Sequence, residues 1–290
     1  MAKKIGMVSN NQKEKAIETA KEIHDFLVKK GCSVSLLEKD VMPSKYSLSS
    51  MGDKEFEEKV DYIISVGGDG TFLRAAKYAF KREVPIMGVN MGNLGFLAEI
   101  EIKKLYTALE NLLKEKFIIE NRMLIEGRII RNGKELEKRC LPYVALNEFV
   151  VTRSMTEKII KISLTANGYP VSEFGADGVI ISTPTGSTAY SLSAGGPVVE
   201  PTNEVLIITP ICPHTLYNRS IIFDPDTKIE VRIGSKNKEN SLSIDGVKNP
   251  RNLINGDILR VSKSKLRIRL ISFNQNIFFK VFKEKLLERD

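Results

Sequence analysis

The first hundred residues of the chain alternate between two hydrophobic patterns. Short apolar runs typical of strands lie at residues 4–8, 33–37, 62–66 and 84–89, and apolar residues at helical spacing lie at residues 14–30, 72–80 and 102–113. Strands that alternate with helices predict a parallel, doubly wound sheet. We therefore expect an α/β domain over residues 1–115, with Gly31 ending its first helix.

The pattern changes after about residue 116. Apolar and polar residues then alternate in short runs, as at residues 160–164, 229–233 and 266–270, which is typical of strands with one buried face. Asn-Gly pairs at residues 132–133, 167–168 and 255–256 favour hairpin turns, because both residues tolerate positive φ angles. A β-rich domain is expected over residues 116–272. The tail, residues 273–290, carries more apolar surface than a free terminus exposes, so we expect it to dock.

Composition narrows the class of protein. The 290 residues are 42% hydrophobic and 28% charged, as in soluble globular proteins, and no apolar run reaches the ~20 residues that span a bilayer. The N-terminus lacks the apolar core of a secretory signal, so we expect a cytoplasmic protein without a membrane partner. The net charge of +8 would attract polyanions, but the basic residues are scattered, which argues against nucleic-acid binding.

The number and spacing of the cysteines and histidines argue against disulfides and against several kinds of metal site. The three cysteines, Cys32, Cys140 and Cys212, lie far apart, and we expect reduced, buried thiols instead of disulfides or a zinc ribbon. The two histidines, His24 and His214, are too few for a His-based metal site, and we assign no metal-ligating residue. His24 falls on a predicted surface helix. His214 follows an apolar strand and is either structural or directed into a site.

A glycine-rich segment, Gly67-Gly68-Asp69-Gly70-Thr71, follows one predicted strand and precedes a helix. This position favours an anion, because backbone N–H groups and the helix dipole point at it and glycine lets a phosphate approach closely. A carboxylate at Asp69 would repel phosphates unless a divalent cation bridges them or it accepts a proton from a nucleophile. Either role indicates phosphoryl transfer. The alternative is an ordinary glycine turn in which Asp69 caps the helix.

Residues 175–197 combine many hydroxyl groups with little side-chain bulk. Such a surface suits a flat polar ligand, with Thr188, Tyr190 and Ser193 as hydrogen-bond partners. A Ser/Thr-rich loop with close helix packing would explain the same composition, so the segment alone leaves both interpretations open.

Asn147 and Glu148 interrupt an apolar strand. Burying an amide beside a carboxylate requires hydrogen bonds to both, and a ribose or an adenine edge is a suitable partner. The alternative is an edge strand or bulge that exposes both side chains. Asp245 is a weaker candidate, since the Asp-Gly sequence at residues 245–246 is an ordinary turn.

These segments, in this order, resemble the NAD kinase family. The Gly-Gly-Asp-Gly-Thr element is shared with phosphofructokinases and diacylglycerol kinases, whereas the Asn147-Glu148 pair and the Thr-Gly-Ser-Thr-Ala-Tyr run at residues 185–190 are typical of NAD kinases. The likeness extends over nearly the whole chain. It implies an α/β domain, a β-rich NAD-binding domain and a chain end that returns to the first domain. It also implies transfer of the γ-phosphoryl group of ATP to the 2′-hydroxyl of the adenosine ribose of NAD, which gives NADP.

The resemblance also implies roles for individual residues. Asp69 would be the base that activates the 2′-hydroxyl, while donor phosphates bridged by Mg²⁺ would be held by Gly68, Gly70 and Thr71. Asn147 and Glu148 would bind the hydroxyls or adenine of NAD, and Asp177 would contact its nicotinamide end. The other residues expected to line the NAD pocket are Phe72, Thr185, Thr188, Ala189, Tyr190, Ser193 and Asp245. NAD and ATP are then the substrates, and the family resemblance implies a homodimer or homotetramer.

Two other functions stay open at this point. A lipid kinase of the diacylglycerol or sphingosine type would share residues 67–71, but it has no use for the Asn147-Glu148 pair and should expose an apolar entrance, for which the sequence offers no candidate. A non-catalytic dinucleotide-binding regulator would bind NAD without ATP turnover, and any DNA affinity would depend steeply on salt.

Overall fold

A computed structural model of the chain describes residues 2–38, 49–92, 94–136, 142–154, 159–215, 218–234, 240–249, 251–274 and 277–287. The chain forms two compact units. Unit 1 is Met1–Asn121 together with Leu266–Asp290, and unit 2 is Arg122–Lys265. Unit 1 therefore takes its residues from both ends of the chain, and unit 2 is the segment between them.

Strands and helices alternate along the amino-terminal part of unit 1. The strands are β1 (Lys4–Ser9), β2 (Ser33–Leu37), β3 (Ser50–Met51), β4 (Tyr62–Gly67), β5 (Ile86–Asn90) and β6 (Ile100–Glu101). The helices are α1 (Glu14–Lys29), α2 (Asp53–Lys59), α3 (Asp69–Ala79) and α4 (Leu105–Leu113), the last preceded by a 3₁₀ turn, Ile102–Lys104.

Unit 2 is built mainly from strands. They are β7 (Ile118–Arg131), whose first four residues belong to unit 1, β8 (Lys134–Glu135), β9 (Tyr143–Ala145), β10 (Glu148–Thr152), β11 (Ile160–Ala166), β12 (Tyr169–Ala176), β13 (Gly178–Ser182), β14 (Leu206–Ile211), β15 (Ile221–Phe223), β16 (Ile229–Gly234), β17 (Ser241–Ile244) and β18 (Val247–Lys248). A 3₁₀ turn, Thr185–Thr188, precedes the short α5 (Tyr190–Ser193). The long β19 (Ile258–Ser272) begins in unit 2 and ends in unit 1, where α6 (Ile277–Phe282) and a π-helical turn (Lys283–Leu287) follow.

The strands of unit 1 pair in parallel in the order β5-β4-β1-β2-β3, and both β6 and the last part of β19 also pair with β5. The direction of the order reverses between β1 and β4, because the chain leaves β1 toward β2 and leaves β4 toward β5. In open parallel sheets, ligands bind outside the carboxyl ends of the strands at such a reversal. The ends of β1 and β4 therefore mark the expected position of a site.

The helices of unit 1 form where apolar residues recur on one face. In α1, Ala16, Ala20, Ile23 and Leu27 are buried in the core that also contains the sheet residues of this unit. The helix ends at Lys29, and Gly31 follows with a φ of 82°, a conformation that favours glycine. The helix therefore ends where the sequence predicts.

Unit 2 consists of two sheets that share one core. One is antiparallel throughout, with the order β15-β14-β13-β10-β17-β18, and the other joins β12, β11 and β16 to the first part of β19 and to β7, β8 and β9. Alternate residues of both sheets, such as Ile162 of β11 and Val179 of β13, are fully buried in that core. The parallel sheet of unit 1 and the strands of unit 2 confirm the predicted fold class, an α/β part followed by a β-rich part.

Two of the three Asn-Gly pairs close hairpins. Residues 132–133 join β7 to β8 and residues 167–168 join β11 to β12, and all four have φ angles between 50° and 83°. The third prediction is wrong. At residues 255–256 only Gly256 has a positive φ, and the turn leads from Leu253 into β19; Leu253 is bridged to Asn240 instead of to that strand.

The thiols differ in part from the expectation. Cys32 is half-buried and Cys212 is exposed, both are free, and Cys140 lies outside the described residues. The prediction of a buried thiol is wrong for Cys212, because this residue follows the end of β14 at a bend in the left-handed conformation, with a φ of 45°. Among the helices that the structure describes, none combines the length and apolar character needed to cross a membrane.

Candidate functional site

The glycine-rich segment lies at the reversal of the unit 1 sheet. Gly67 is the last residue of β4 and Asp69 is the first of α3, so the segment is a tight strand-to-helix turn. A Cβ on Gly67 would meet the Thr71 hydroxyl oxygen at 2.3 Å, so packing requires glycine there. A Cβ on Gly68 or Gly70 would meet no atom of the described residues within 4 Å. These two glycines border open space in which a phosphate can approach the amino end of α3.

The Asp69 carboxylate is held by the loop at residues 95–98. The Phe96 N–H donates to Oδ2 at 3.0 Å, and the N–H groups of Leu97 and Ala98 each donate to Oδ1 at 3.1 Å. Gly95 makes this approach possible, because a Cβ at that position would lie 2.1 Å from Oδ1. The side chain therefore does not cap its own helix, as the alternative supposed, and its half-buried carboxylate has a fixed orientation.

A cavity of about 460 Å³ opens beside the glycine-rich segment. It is lined by residues 10–13 at the end of β1 and by Gly68, Gly70, Thr71 and Arg74. Lys13 immediately precedes α1, and the Arg74 guanidinium donates to the Ser9 carbonyl at 2.7 Å. The amino ends of two helices and two cationic side chains thus meet in one cavity, an arrangement that suits a chain of phosphates.

Sequence reasoning missed the residues that complete this region. The loop at residues 95–98 contributes backbone N–H groups, which no side-chain pattern reveals, and Gly95 was its one visible signal. Lys13 and Arg74 could have been found from the reversal between β1 and β4, since Lys13 lies four residues after the end of β1 and Arg74 lies in the helix that follows β4. Phe72, expected to form a wall of the nucleotide pocket, is fully buried, and a Cβ on Gly88 would meet its ring at 3.1 Å. Contact between Phe72 and a nucleotide stays a prediction.

In unit 2, Asn147 and Glu148 lie where the chain enters β10. They are 8% and 4% exposed, and β10 is a central strand, paired with β13 on one side and β17 on the other. The alternative of an edge strand or bulge that exposes both side chains is therefore wrong. The register places Glu148 opposite Ser182 of β13.

Asp245 fixes this pair through the backbone. Its carboxylate accepts the N–H groups of Leu146, Asn147 and Glu148 at 2.9, 2.7 and 3.2 Å, and its own N–H donates to the Glu148 carbonyl at 3.1 Å. Asp245 and Gly246 have φ angles of 47° and 76° and form the turn between β17 and β18. Asp245 is therefore both a residue of an ordinary Asp-Gly turn and a candidate site residue, because the turn places its carboxylate at the start of β10.

The hydroxyl-rich segment packs against the same pair. The Thr183 N–H donates to the Asn147 carbonyl at 2.9 Å, and the Thr183 hydroxyl donates to the Leu146 carbonyl. A Cβ on Gly186 would lie 2.2 Å from the Asn147 carbonyl oxygen, so glycine allows the 3₁₀ turn to lie against it. Three segments that the sequence singles out separately are therefore adjacent in unit 2.

The hydroxyl groups of this segment fall into two sets. Ser187 accepts from the Val199 N–H at 3.0 Å and donates to its carbonyl at 3.1 Å, while Ser191 and Thr209 share a hydrogen bond of 3.0 Å. These hydroxyls are structural, as the packing alternative supposes. Thr188, Tyr190 and Ser193 are half-buried or exposed, as is Ala189 between them, and the Thr188 hydroxyl donates to the Thr185 carbonyl at 3.3 Å.

Three buried polar atoms in this cluster have no hydrogen-bond partner among the described residues. They are Asn147 Oδ1, Glu148 Oε2 and Thr185 Oγ1. An unsatisfied buried polar atom costs roughly 1–3 kcal/mol, and such atoms are rare in native structures. Three of them in one cluster indicate a ligand that supplies the missing donors and acceptors.

Burial raises the pKa of Glu148 to about 8, with the Asp245 carboxylate as the second cause. At neutral pH the Glu148 side chain is therefore protonated. A protonated carboxyl group can donate one hydrogen bond and accept others, which suits a ligand group that itself both donates and accepts.

Asp177 lies in the turn between β12 and β13, where its Oδ1 accepts from Arg153 Nε at 2.6 Å. Sequence reasoning missed Arg153, which is the first residue after β10. His214 is exposed and its N–H donates to the Gly175 carbonyl at 2.8 Å, while His24 lies on α1 beside Asp25. Within the described part of the chain, no group of three His, Cys, Asp or Glu side chains could hold a metal ion.

Two family models match the chain. The ATP-NAD kinase N-terminal domain matches residues 5–117, and the ATP-NAD kinase C-terminal domain matches residues 146–273. A protein named NAD kinase from Caldanaerobacter subterraneus subsp. tengcongensis is 39% identical over 289 residues, which cover 99% of this chain and 100% of that protein. Another, from Moorella thermoacetica, is 38% identical and is covered to 89%, over 98% of this chain.

Two solved structures are similar over the same length. The crystal structure of an NAD kinase from Archaeoglobus fulgidus in complex with ATP is 26% identical, with a TM-score of 0.74 and 98% of each chain covered. The crystal structure of yeast NADH kinase complexed with NADH has a TM-score of 0.89 and covers 100% of this chain and 89% of that one. At 22% identity, this second likeness shows a shared fold.

Proposed function

The chain belongs to the NAD kinase family, and on that premise we propose how its residues bind the two substrates and move the proton. It is an ATP-dependent NAD kinase, which transfers the γ-phosphoryl group of ATP to the 2′-hydroxyl of the adenosine ribose of NAD and releases NADP and ADP. The lipid kinase and the non-catalytic regulator are set aside, because the match includes the C-terminal domain of the ATP-NAD kinases.

Asp69 is the general base of this reaction. A ribose hydroxyl is a weak nucleophile, and a carboxylate that accepts its proton while the new oxygen–phosphorus bond forms contributes about 10²–10⁴-fold in rate. The 2′-oxygen bonds to the γ-phosphorus, the bond from that phosphorus to the β,γ-bridging oxygen breaks, and ADP leaves with the electron pair. The three N–H groups that orient the carboxylate support this role.

The donor phosphates lie in the cavity at the ends of β1 and β4. Gly68, Gly70 and Thr71 supply backbone and hydroxyl donors, and Lys13 and Arg74 supply positive charge. Mg²⁺ enters as part of the ATP substrate, since this cation prefers phosphate oxygens and keeps few protein ligands. Phosphoryl transfer asks the protein mainly for positioning and charge neutralisation, which these groups provide.

NAD is held by unit 2, and the observation that carries this assignment is the cluster of three unpartnered polar atoms on Asn147, Glu148 and Thr185. The Asn147 amide and the Glu148 carboxyl bind ribose hydroxyls or the adenine edge, and Asp177 contacts the nicotinamide end. Asp245 contributes by holding the backbone of Asn147 and Glu148. The residues that line the rest of the dinucleotide pocket are Thr188, Ala189, Tyr190 and Ser193.

The assay that tests this function uses the purified full chain with ATP, Mg²⁺ and NAD. We expect NADP, measured with a dehydrogenase that accepts only NADP, and a ³¹P resonance of a monoester on the 2′-position. A reaction without ATP should give no NADP, and diacylglycerol offered as the acceptor should not be phosphorylated. Absence of NADP from the complete mixture would contradict the assignment.

The active protein is a homodimer or homotetramer in the cytoplasm. The free thiols of Cys32 and Cys212 suit a reducing compartment. The β11–β12 hairpin carries apolar side chains that are exposed within one chain, including Tyr169 and Val171, and these suit a contact between subunits. Sedimentation velocity on the full chain should give a dimer or tetramer, and a monomer at micromolar concentration would contradict this assembly.

A further inference from the structure

The tail of unit 1 packs on the loop that holds Asp69. Phe278 of α6 lies against Phe96, with ring centroids 6.0 Å apart, and Phe282 stacks on Phe278 with centroids 6.1 Å apart. Lys285, in the π-helical turn, places its Nζ 5.3 Å from the centroid of the Phe96 ring. The Phe278 ring and the Lys285 ammonium group therefore cover Phe96, and Phe282 packs behind Phe278.

The cover is itself anchored in unit 1. Val281 of α6 is 1% exposed, and Lys280 Nζ lies 3.7 Å from a carboxylate oxygen of Glu101 in β6. Since β6 begins two residues after the loop at residues 95–98, this ion pair attaches the tail to the segment that directly follows the loop.

The three loop residues that donate to Asp69 are fixed by different parts of the molecule. Leu97 and Ala98 are buried, and a Cβ on Gly88 would lie 2.7 Å from the Ala98 Cα, so β5 supports their positions directly. Phe96 is half-buried, and its ring is held by the tail. The tail thus contacts the side chain of the residue that supplies one of the three donors.

The Phe96 N–H donates to Oδ2 of Asp69, which is the carboxylate oxygen that can still accept a proton. A carboxylate has about four lone-pair positions, two on each oxygen. Oδ1 accepts the two N–H groups of Leu97 and Ala98, whereas Oδ2 accepts, from the described residues, the single N–H of Phe96. Oδ2 therefore keeps one position to receive a proton, and the Phe96 N–H sets the direction in which that position points.

We propose that Phe278 is a positioning residue for phosphoryl transfer, which acts by covering Phe96 and so keeps the Phe96 N–H on Oδ2 of Asp69. This inference rests on the proposed role of Asp69 as the base. Because Phe278 acts on the base and not on the groups that bind ATP or NAD, its loss lowers kcat and leaves both KM values nearly unchanged.

The test compares two neighbouring phenylalanines of α6 in the full chain. We expect Phe278→Ala to lower kcat about tenfold, since a small misplacement of a reacting group is sufficient for such a loss, with both KM values within about twofold of wild type. Phe279→Ala is the matched control, because it removes a ring that is 53% exposed and packs on Phe278, with centroids 5.4 Å apart, while the Phe278 ring on Phe96 is kept. Its kcat should stay within about twofold of wild type.

A milder substitution covers the case in which Phe278→Ala does not fold. Phe278→Leu keeps apolar volume but not the ring that faces Phe96, and we expect kcat to fall about threefold or more, with a melting temperature equal to that of Phe279→Ala. A normal kcat in Phe278→Leu and in any folded Phe278→Ala would overturn the proposal. An equal loss of kcat in Phe279→Ala, or a rise in KM at constant kcat, would overturn it as well.

The double variant separates this inference from the proposed function. If Phe278 acts through the base, Phe278→Ala should change the residual kcat of Asp69→Asn by less than about twofold. The same fold-loss in both backgrounds would show that Phe278 acts elsewhere. A near-normal kcat for Asp69→Asn removes Asp69 from the mechanism altogether, whereas an impaired Asp69→Asn beside a normal Phe278→Ala overturns the role of the tail alone.

Discussion

The two proposed binding regions are built in opposite ways. In unit 1, the Asp69 carboxylate accepts three N–H groups of the protein itself, so it is oriented before any substrate arrives. In unit 2, Asn147, Glu148 and Thr185 are buried with polar atoms that lack partners among the described residues. A group that must act in a fixed geometry gains from pre-organisation. Groups that recognise a ligand receive their missing hydrogen-bond partners from it, and they reject analogues that lack those partners.

The largest effect should come from the pre-organised region. Asp69→Asn keeps the size of the side chain but removes the proton acceptor, so we expect kcat to fall about 10²–10⁴-fold with little change in NAD affinity. Steady-state kinetics and calorimetric titration with NAD measure the two quantities. A variant with near-normal kcat would show that Asp69 is a structural residue and that the two regions do not differ in this way.

The next effect should separate the two kinds of polar group in unit 2. Asn147→Ala removes an unpartnered atom, so we expect the KM for NAD to rise about tenfold or more while the melting temperature stays the same or increases. Ser187→Ala is the matched control, since that hydroxyl is already bonded to Val199. It should lower the melting temperature and leave the KM for NAD unchanged. The reverse pattern would show that Asn147 is structural.

Within unit 1, two glycines of the segment at residues 67–71 should have different effects. Gly70→Ala places a methyl group in open space at the start of α3, so we expect unchanged or increased stability and a KM for ATP raised about three- to tenfold. Gly67→Ala would push its methyl into Thr71 and should destabilise the fold by about 1–3 kcal/mol. Denaturant unfolding and initial rates at varied ATP distinguish them. An unchanged KM for ATP in Gly70→Ala would place the phosphates elsewhere.

The smallest effect concerns pH. The pKa of Glu148 is raised from 4.5 to about 8, so between these values the folded protein keeps a proton that the unfolded chain has lost. Stability therefore falls as pH rises through this window and levels off above pH 8. Glu148→Gln does not titrate, so its melting temperature should match wild type at pH 4.5 and exceed it by a few degrees at pH 8. A variant that is less stable than wild type at pH 8 would show that Glu148 is buried as a stabilised carboxylate.

Much of the fold follows from local patterns, because strands and helices of unit 1 are short, periodic and separated by glycines such as Gly31. The position of Asp69 at the start of α3 was predictable for the same reason, since a strand, a glycine turn and a helix follow each other within a few residues, and its role as the base stays a prediction. The rest depends on distant segments. Asp245 reaches residues 146–148 across 97–99 positions of sequence, and the donors at residues 96–98 are backbone groups without a side-chain signature. The turn at residues 255–256 shows the limit, because turn preference does not determine which strands pair.

Because β19 begins in unit 2 and ends in unit 1, unit 1 is completed only after unit 2 has been synthesised. Leu270 pairs with Ile86 of β5, and the tail that covers Phe96 comes after it, so the ribosome delivers these parts of unit 1 last. At about 5–20 residues per second, the ~145 residues of unit 2 separate the two deliveries by roughly 7–30 s. During that interval the loop at residues 95–98 lacks the contact that the tail makes with Phe96. We expect the nascent polypeptide to gain kinase activity only after residues 277–287 have left the exit tunnel.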